Sequence, residues 1–130
     1  MGTVHASIEI SNPMRADLKP MTVEAMVDTG AMTLCIPEHV AVQLGLQEIE
    51  KREVTTADEK SHVVSYVGPV RIRFEGRTCF TGALVVGDSV LMGAVPMEDM
   101  DLVISPSQRT VTVNPQSPNI PSAVVKGLGQ

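Results

Sequence analysis

The stretch "EAMVDTGAMTLCIP", residues 24–37, interrupts an apolar run with an ionisable side chain. Asp28 is followed by Thr29 and Gly30, after which the apolar pattern resumes as "TLCIP". A carboxylate at the end of an apolar strand destabilises the fold unless it is solvated, hydrogen-bonded or paired, so its position needs a reason. One reason is local, because Asp before Thr-Gly at a strand end can close an Asx turn. The other is chemical and depends on the rest of the chain.

Length and composition narrow the classes of function. The chain has 130 residues, enough for one domain with a true core, and a formal net charge of -5. It has no Trp, one Tyr and two Phe, so neither a basic stripe nor a stacking surface for nucleic acid is expected. No apolar run approaches the roughly 18 residues of a spanning helix, so we expect no membrane partner and a cytoplasmic location.

Cysteines and histidines provide no pattern typical of a metal site. Cys35 and Cys79 are too few for a disulfide framework and are expected to be small buried side chains. His5, His39 and His62 lie on different predicted elements without ligand-like spacing. The sequence therefore predicts neither a metal nor a cofactor.

The chain is predicted to be an all-β domain with little helix, because β-branched runs alternate with Gly, Pro, Asn and Asp clusters. Pro37 and Gly45 bracket a short helix of about two turns, and a helical turn is expected around residues 95–100. We expect the domain to cover residues 1–114 and a proline-rich extended tail to cover residues 115–130. The predicted strands are 3–10, 21–28, 70–74, 78–86, 101–105 and 109–113. A hairpin with a polar tip at 57–60 is predicted over residues 51–67.

Three segments in order resemble a known family. "VDTGA" (27–31), "TTADEKSHVV" (55–64), and "VLMG" followed by "VPMEDMDLVI" (90–104) are similar to the single-lobed, retropepsin-like aspartic proteases, which include retroviral and small bacterial enzymes. The resemblance covers about residues 3–114. It implies a closed, barrel-like acid-protease fold with one short helix, in which the strands ending in "DTGA" and "LMG" cross at the centre. It also implies that the hairpin is a flap over a bound peptide.

The chemistry of this family requires two carboxylates. Aspartic proteases are the standard example of a pair about 3 Å apart that shares one proton, so that one carboxylate activates a water and the other polarises the scissile carbonyl. The chain has no second Asp-Thr-Gly or Asp-Ser-Gly. We therefore expect a homodimer in which each subunit contributes Asp28 across a two-fold axis.

The resemblance also implies roles for individual residues. Asp28 is the expected catalytic acid and base, Thr29 would hydrogen-bond across the dimer, and Gly30 would allow close approach of the backbone and substrate. Leu91 and Met92 are equally consistent with plain core, and the hairpin tip with a solvated turn. The residues expected to bind the peptide or protein substrate are Ala31, Met32, Ala57, Asp58, Leu91 and Met92.

Two departures from the retroviral pattern bear on assembly. An acidic residue after "DTGA" and a basic residue after the second glycine are replaced here by Met32 and Ala94. The dimer is accordingly expected to rely on apolar burial by Val111, Val113, Ile120, Val124, Val125 and Leu128. Two functions stay open: an active homodimeric endopeptidase, which the complete Asp-Thr-Gly favours, and a catalytically silent dimeric module that binds peptides or proteins.

Overall fold

The computed structural model describes residues 3–127 and contains nine strands and two short helices in that range. The all-β prediction is confirmed. The helices are α1 (Glu38–Gln43) and α2 (Ala94–Asp99). The strands are β1 (Val4–Ser11), β2 (Met21–Val27), β3 (Leu34–Ile36), β4 (Gln47–Thr55), β5 (Ser61–Phe74), β6 (Arg77–Val85), β7 (Leu91–Met92), β8 (Leu102–Ser105) and β9 (Thr110–Val113).

Six strands close into a barrel. Their order is β1-β2-β7-β3-β6-β5, and pairing of β1 with β5, from Glu9↔Arg73 to Ser11↔Arg71, completes the ring. The fourth strand, β4, lies outside the ring and pairs with the first half of the long strand β5 to form a hairpin. The last two strands, β8 and β9, form a separate two-stranded sheet. The predicted barrel-like fold is confirmed.

Alternation of side chains builds the core of the barrel. The alternation in "TVHASIEI" predicts Val4, Ala6, Ile8 and Ile10 on one face of β1, because successive side chains of a strand point to opposite faces. Ala6, Ile8 and Ile10 are buried and Val4 is half-buried, and Ser11 at the end of β1 is buried as well. The barrel encloses fully buried side chains from several other elements, including Leu34, Ile36, Leu44, Val70, Ile72, Met92 and Met100.

Two strands meet at the centre as the family resemblance implies. β2 runs parallel to β7 with Met26 opposite Leu91 and Val27 opposite Met92, and β3 pairs with the other edge of β7. This pairing fixes the loop after β2, which contains Asp28, against the end of β7.

Two features differ from the sequence prediction. α2 is a six-residue helix where the sequence predicts only a helical turn, and the three-residue strand β3 was not predicted. Both depend on long-range backbone bonds. The amide of Ala94 in the first turn of α2 donates to Ala31 O at 2.8 Å, and β3 exists through its pairing with β6 and β7.

The C-terminal segment is extended but attached to the barrel. Residues 114–127 contain no helix or strand. Asp101 accepts hydrogen bonds from the Ser117 hydroxyl and from the Ser122 amide at 2.9 Å, and buried Arg77 donates to Ser117 O. The residues after 113 therefore form no helix or strand of their own but remain in contact with the rest of the domain.

The apolar residues expected to form a dimer interface fall into three groups. Val111 is buried in the core of its own chain, so the prediction is wrong for this residue, and Val113 is half-buried against that core. Their alternation on β9 turns them inward. Ile120, Val124 and Val125 are exposed on the described part of the tail. Leu128 lies outside the described residues.

Candidate active site

Asp28 directly follows β2 on a tight loop. Its amide donates to Met92 O at 3.1 Å, and its carbonyl accepts from the amide of Ala31 at 3.1 Å. One carboxylate oxygen, Oδ1, accepts from the Gly30 amide at 2.8 Å. The residue is exposed, and its Oδ2 has no hydrogen-bond partner among residues 3–127. The local Asx turn is therefore present, and it holds a carboxylate that still faces solvent.

Two glycines at this loop lie where a Cβ would be crowded. A Cβ at Gly30 would lie 3.0 Å from Asp28 Oδ1, and a Cβ at Gly93 would lie 2.6 Å from the carbonyl oxygens of Ala31 and Thr33. The second contact is far inside any real Cβ distance, and both atoms are backbone. The two apolar residues followed by glycine in "VLMG" thus mark a place where two backbone segments touch.

Backbone hydrogen bonds lock the site loop to the start of α2. The amide of Gly93 donates to Thr33 O at 3.0 Å, and the amide of Val95 donates to Met32 O at 2.8 Å. Together with the bond from Ala94 to Ala31, these connect the two glycine-containing segments. The loop is held in place by main-chain groups, so its geometry does not need charged side chains at Met32 and Ala94.

A mainly apolar cleft of about 580 Å³ opens beside Asp28. Its floor comes from the site loop, one wall from the barrel and its roof from the β4 end of the hairpin. Asp28 is the one ionisable carboxylate in the lining. The lining residues are Asp28, Gly30, Ala31, Met32, Thr33, Cys35, Val54, Thr55, Thr56, Ala57, Leu84, Val86 and Leu91.

Only some of the residues predicted to contact substrate line this cleft. Ala31, Met32, Ala57 and Leu91 line it, and Met32 is exposed over 71% of its surface. Met92 is 0% exposed and belongs to the core, so it does not line the cleft as predicted. The strand alternation that turns Leu91 outward necessarily turns Met92 inward.

Two other predicted residues are near the cleft without lining it. The Asp58 side chain is engaged inside the hairpin tip, where it accepts from the Thr56 hydroxyl and from the Lys60 amide at 3.2 Å. Thr29 is exposed at the turn, and its hydroxyl has no hydrogen-bond partner within residues 3–127.

Sequence reasoning missed part of the barrel wall and the roof. Cys35 is half-buried between the buried neighbours Leu34 and Ile36, so alternation along "LCI" could have located it on the other face. Leu84 and Val86 likewise share one face by their spacing of two. The roof residues Val54, Thr55 and Thr56 carry no such signal, since their position depends on how the hairpin bends over the barrel.

The comparisons with known proteins agree with this geometry. A family model described as aspartyl protease matches residues 14–120. The chain belongs to the aspartyl protease family. The sequence has no significant match among curated proteins.

Three solved structures align with most of this chain. The crystal structure of the retroviral protease-like domain of Ddi1 from Leishmania major aligns with a TM-score of 0.55 at 12% identity, over 88% of this chain and 91% of that chain. A retropepsin-like aspartic protease from Rickettsia conorii aligns with 0.48 at 15%, over 80% and 85%. The solution structure of simian foamy virus (mac) protease aligns with 0.47 at 23%, over 72% and 92%.

Neither thiol of this aspartyl protease-family chain is activated. Burial, followed by the negative charge of Asp28, raises the pKa of Cys35 on the cleft wall. Burial, followed by a hydrogen bond with Asp99, raises the pKa of Cys79 to about 12. Thiols that stay protonated are poor nucleophiles. The expectation of two buried cysteines holds for Cys79, whereas Cys35 is partly open to the cleft.

Two properties of the described residues bear on other classes of function. Within residues 3–127, no group of three or more His, Cys, Asp or Glu side chains has the geometry to hold a metal ion. No helix in that range has the length and apolar character needed to cross a membrane.

Proposed function

We propose that this chain is a homodimeric aspartic endopeptidase in which Asp28 of two copies shares one proton and activates a water. The observation that carries the proposal is an exposed carboxylate on a loop held by backbone bonds, at the floor of an apolar cleft beneath a hairpin. Preorganised polar groups at the floor of an apolar cleft are typical of catalytic sites. Localisation to the cytoplasm is part of the proposal, in keeping with two free cysteines.

A second copy is needed because one chain supplies half of the dyad. The sequence contains one Asp-Thr-Gly and no Asp-Ser-Gly. An isologous interface through the site loop would bring Asp28 against its own counterpart. The exposed hydroxyl of Thr29 is available for a hydrogen bond with that second loop, as the family resemblance implies.

The residues of the cleft suit hydrolysis of a peptide bond. In the paired site, the ionised Asp28 would take a proton from water as the protonated Asp28 of the other copy polarises the carbonyl. The Asx bond from Gly30 would hold the carboxylate in place through the reaction. Apolar walls from Leu84, Val86 and Leu91 fit apolar side chains of an extended peptide.

Replacing Asp28 with Asn tests the proposal directly. Asn keeps the shape and can still accept the Gly30 bond, but it cannot act as a base. We expect cleavage of a peptide library to fall by about 100-fold or more, with unfolding midpoint and sedimentation unchanged. Asp88→Asn, at an exposed turn, is the control and should cleave like the parent.

If two chains share one active site, the activity of the parent should also change when variant chains are mixed with it. Excess Asp28→Asn chains added to the parent should suppress its cleavage by forming heterodimers, whereas excess Asp88→Asn chains should not. Cleavage by Asp28→Asn at the rate of the parent would overturn the assignment of Asp28. Statine-peptide binding without any cleavage by the parent would favour the silent binding module.

A further inference from the structure

We propose that Asp58 is a positioning residue that holds the tip of the flap hairpin, defined here as residues 55–61, over the cleft by fixing Thr56. The inference rests on the proposed function, since it takes the hairpin to cover a bound peptide. It replaces the expectation that Asp58 itself contacts substrate. The cleft is lined by Thr56 and Ala57, whereas the carboxylate of Asp58 is outside that lining.

One carboxylate oxygen joins both ends of the tip. Asp58 Oδ1 accepts from the Thr56 hydroxyl on the β4 side and from the Lys60 amide, at 3.2 Å, on the β5 side. Two main-chain bonds complete the closure: the Thr56 amide donates to Lys60 O at 3.0 Å, and the Glu59 amide donates to Thr56 O at 2.9 Å. Asp58 therefore links the cleft-lining arm to the returning arm, and the Thr56 hydroxyl also lies 3.3 Å from Lys60 O.

The tip is built without glycine. No glycine occurs between Gly45 and Gly68, yet Glu59 adopts a left-handed φ of 64°. Such a conformation is uncommon for a residue with a Cβ and persists where surrounding contacts support it. The hydrogen bonds of Asp58 on either side of Glu59 supply that support.

The carboxylate is well suited to this role near neutral pH. The Thr56 hydroxyl, followed by the Lys60 amide, lowers the pKa of Asp58, so it remains ionised and accepts both bonds. Bonds to an ionised acceptor are stronger than bonds between neutral groups.

Loss of the Asp58 hydrogen bonds should affect peptide binding more than the rate of the chemical step. A preformed tip spares a bound peptide the cost of ordering the flap. Loosening the tip would therefore weaken peptide binding, whereas the reacting atoms remain with Asp28 on the opposite side of the cleft. This separates a positioning role for Asp58 from a catalytic role.

The experiment compares paired variants in the full chain. Asp58→Ala removes the acceptor, and Asp58→Asn retains an Oδ1 that can accept both bonds. Thr56→Val removes the hydroxyl donor, and Thr56→Ser retains it. Asp88→Ala is the control at an exposed turn. The readouts are amide hydrogen exchange at Glu59 and Lys60, and KM and kcat on one peptide.

We expect Asp58→Ala and Thr56→Val to accelerate exchange at both amides and to raise KM by at least about tenfold, the worth of one charge-assisted hydrogen bond, with kcat near the parent value. Asp58→Asn should fall between the parent and Asp58→Ala, because it keeps the acceptor and loses the charge, and Thr56→Ser should keep the exchange rates of the parent, because it keeps the donor.

Each other result has a defined meaning. Unchanged exchange in Asp58→Ala would overturn the role of Asp58 in the tip, and faster exchange with unchanged KM would overturn its role in positioning. A fall in kcat at constant KM would show that Asp58 acts in the reaction. If the parent does not cleave, affinity for a statine-containing peptide replaces KM. A parent that neither cleaves nor binds would overturn the proposed function. Amide hydrogen exchange would still test whether Asp58 holds the hairpin tip.

Discussion

At the scale of single residues, the carboxylate of Asp28 closes a turn and is placed for the chemical role that we propose. Oδ1 closes the turn through Gly30, and the residue remains exposed at the cleft floor. The turn hydrogen bond therefore orients the group that the reaction would use. An Asx turn and a catalytic site are compatible here, because a carboxylate has more acceptor positions than one turn needs.

Asp101 shows how a single residue can attach the tail and make stability depend on pH. The Ser117 hydroxyl, the Asn114 side-chain amide and the Ser122 amide lower the pKa of its carboxylate to about 2. Because the folded pKa lies below the unfolded value, its stabilisation is fully present above about pH 4. It is lost as the pH falls from about 4 to about 2.

The prediction for Asp101 concerns a difference between two proteins. We expect Asp101→Asn to have a lower urea midpoint than the parent at pH 6, with the gap closing as the pH is reduced toward 2. Asp88→Asn should track the parent at every pH. A gap of constant size across that range would show that ionisation of Asp101 does not stabilise the fold.

At the scale of elements, the short strand β7 and the loop that contains Asp28 form one unit. β7 contributes two residues, yet it pairs with β2 on one side and with β3 on the other. Its end is joined to the site loop by the backbone bonds of Gly93, Ala94 and Val95. The loop geometry thus depends on the β7–α2 junction as much as on its own residues.

Gly93→Ala tests that junction. The new Cβ would meet two backbone carbonyl oxygens at 2.6 Å, so the site loop or α2 must move. We expect a loss of roughly 1–3 kcal/mol in unfolding free energy, typical of overpacking, and a larger fall in cleavage than the stability alone explains. Urea unfolding and peptide digestion measure the two effects.

Gly127→Ala is the matched control, because a Cβ there meets no atom within 4 Å. It should unfold and cleave like the parent. A Gly93→Ala protein as stable and active as the parent would show that the close approach of these segments is not needed for the site.

At the scale of the whole molecule, the barrel and the tail are linked by a buried polar cluster. Arg77 is 4% exposed and donates to Met100 O at 2.9 Å and to Ser117 O. Beyond this attachment, Ile120, Val124 and Val125 remain exposed by 74%, 80% and 62%. An anchored segment that presents three apolar side chains is a candidate surface for a second copy.

We expect a chain ending at Asn114 to remain folded but to dissociate and lose activity. Each apolar side chain fully buried against a partner contributes roughly 1.5–3 kcal/mol before ordering costs. Sedimentation at several protein concentrations measures the dimer constant. Because the contact is apolar, the full-length dimer should change little with salt.

Replacing Ile120, Val124 and Val125 with Ser in the full chain separates the apolar contact from the attachment, since Ser117 and Ser122 stay. This variant should dissociate like the truncated chain, whereas Val42→Ser, an equally exposed valine on α1, should remain dimeric. A truncated chain with the dimer constant of the parent would show that the tail is dispensable.

The sequence by itself determined the all-β class, the alternation of β1 and the position of Asp28 between a strand and a glycine. These features are local, because side-chain period and turn chemistry act over a few neighbouring residues. Tertiary structure alone decided that Leu91 lines the cleft as Met92 enters the core, and that Val54, Thr55 and Thr56 form its roof. These outcomes depend on strand pairings and hydrogen bonds between distant segments, which no local pattern records.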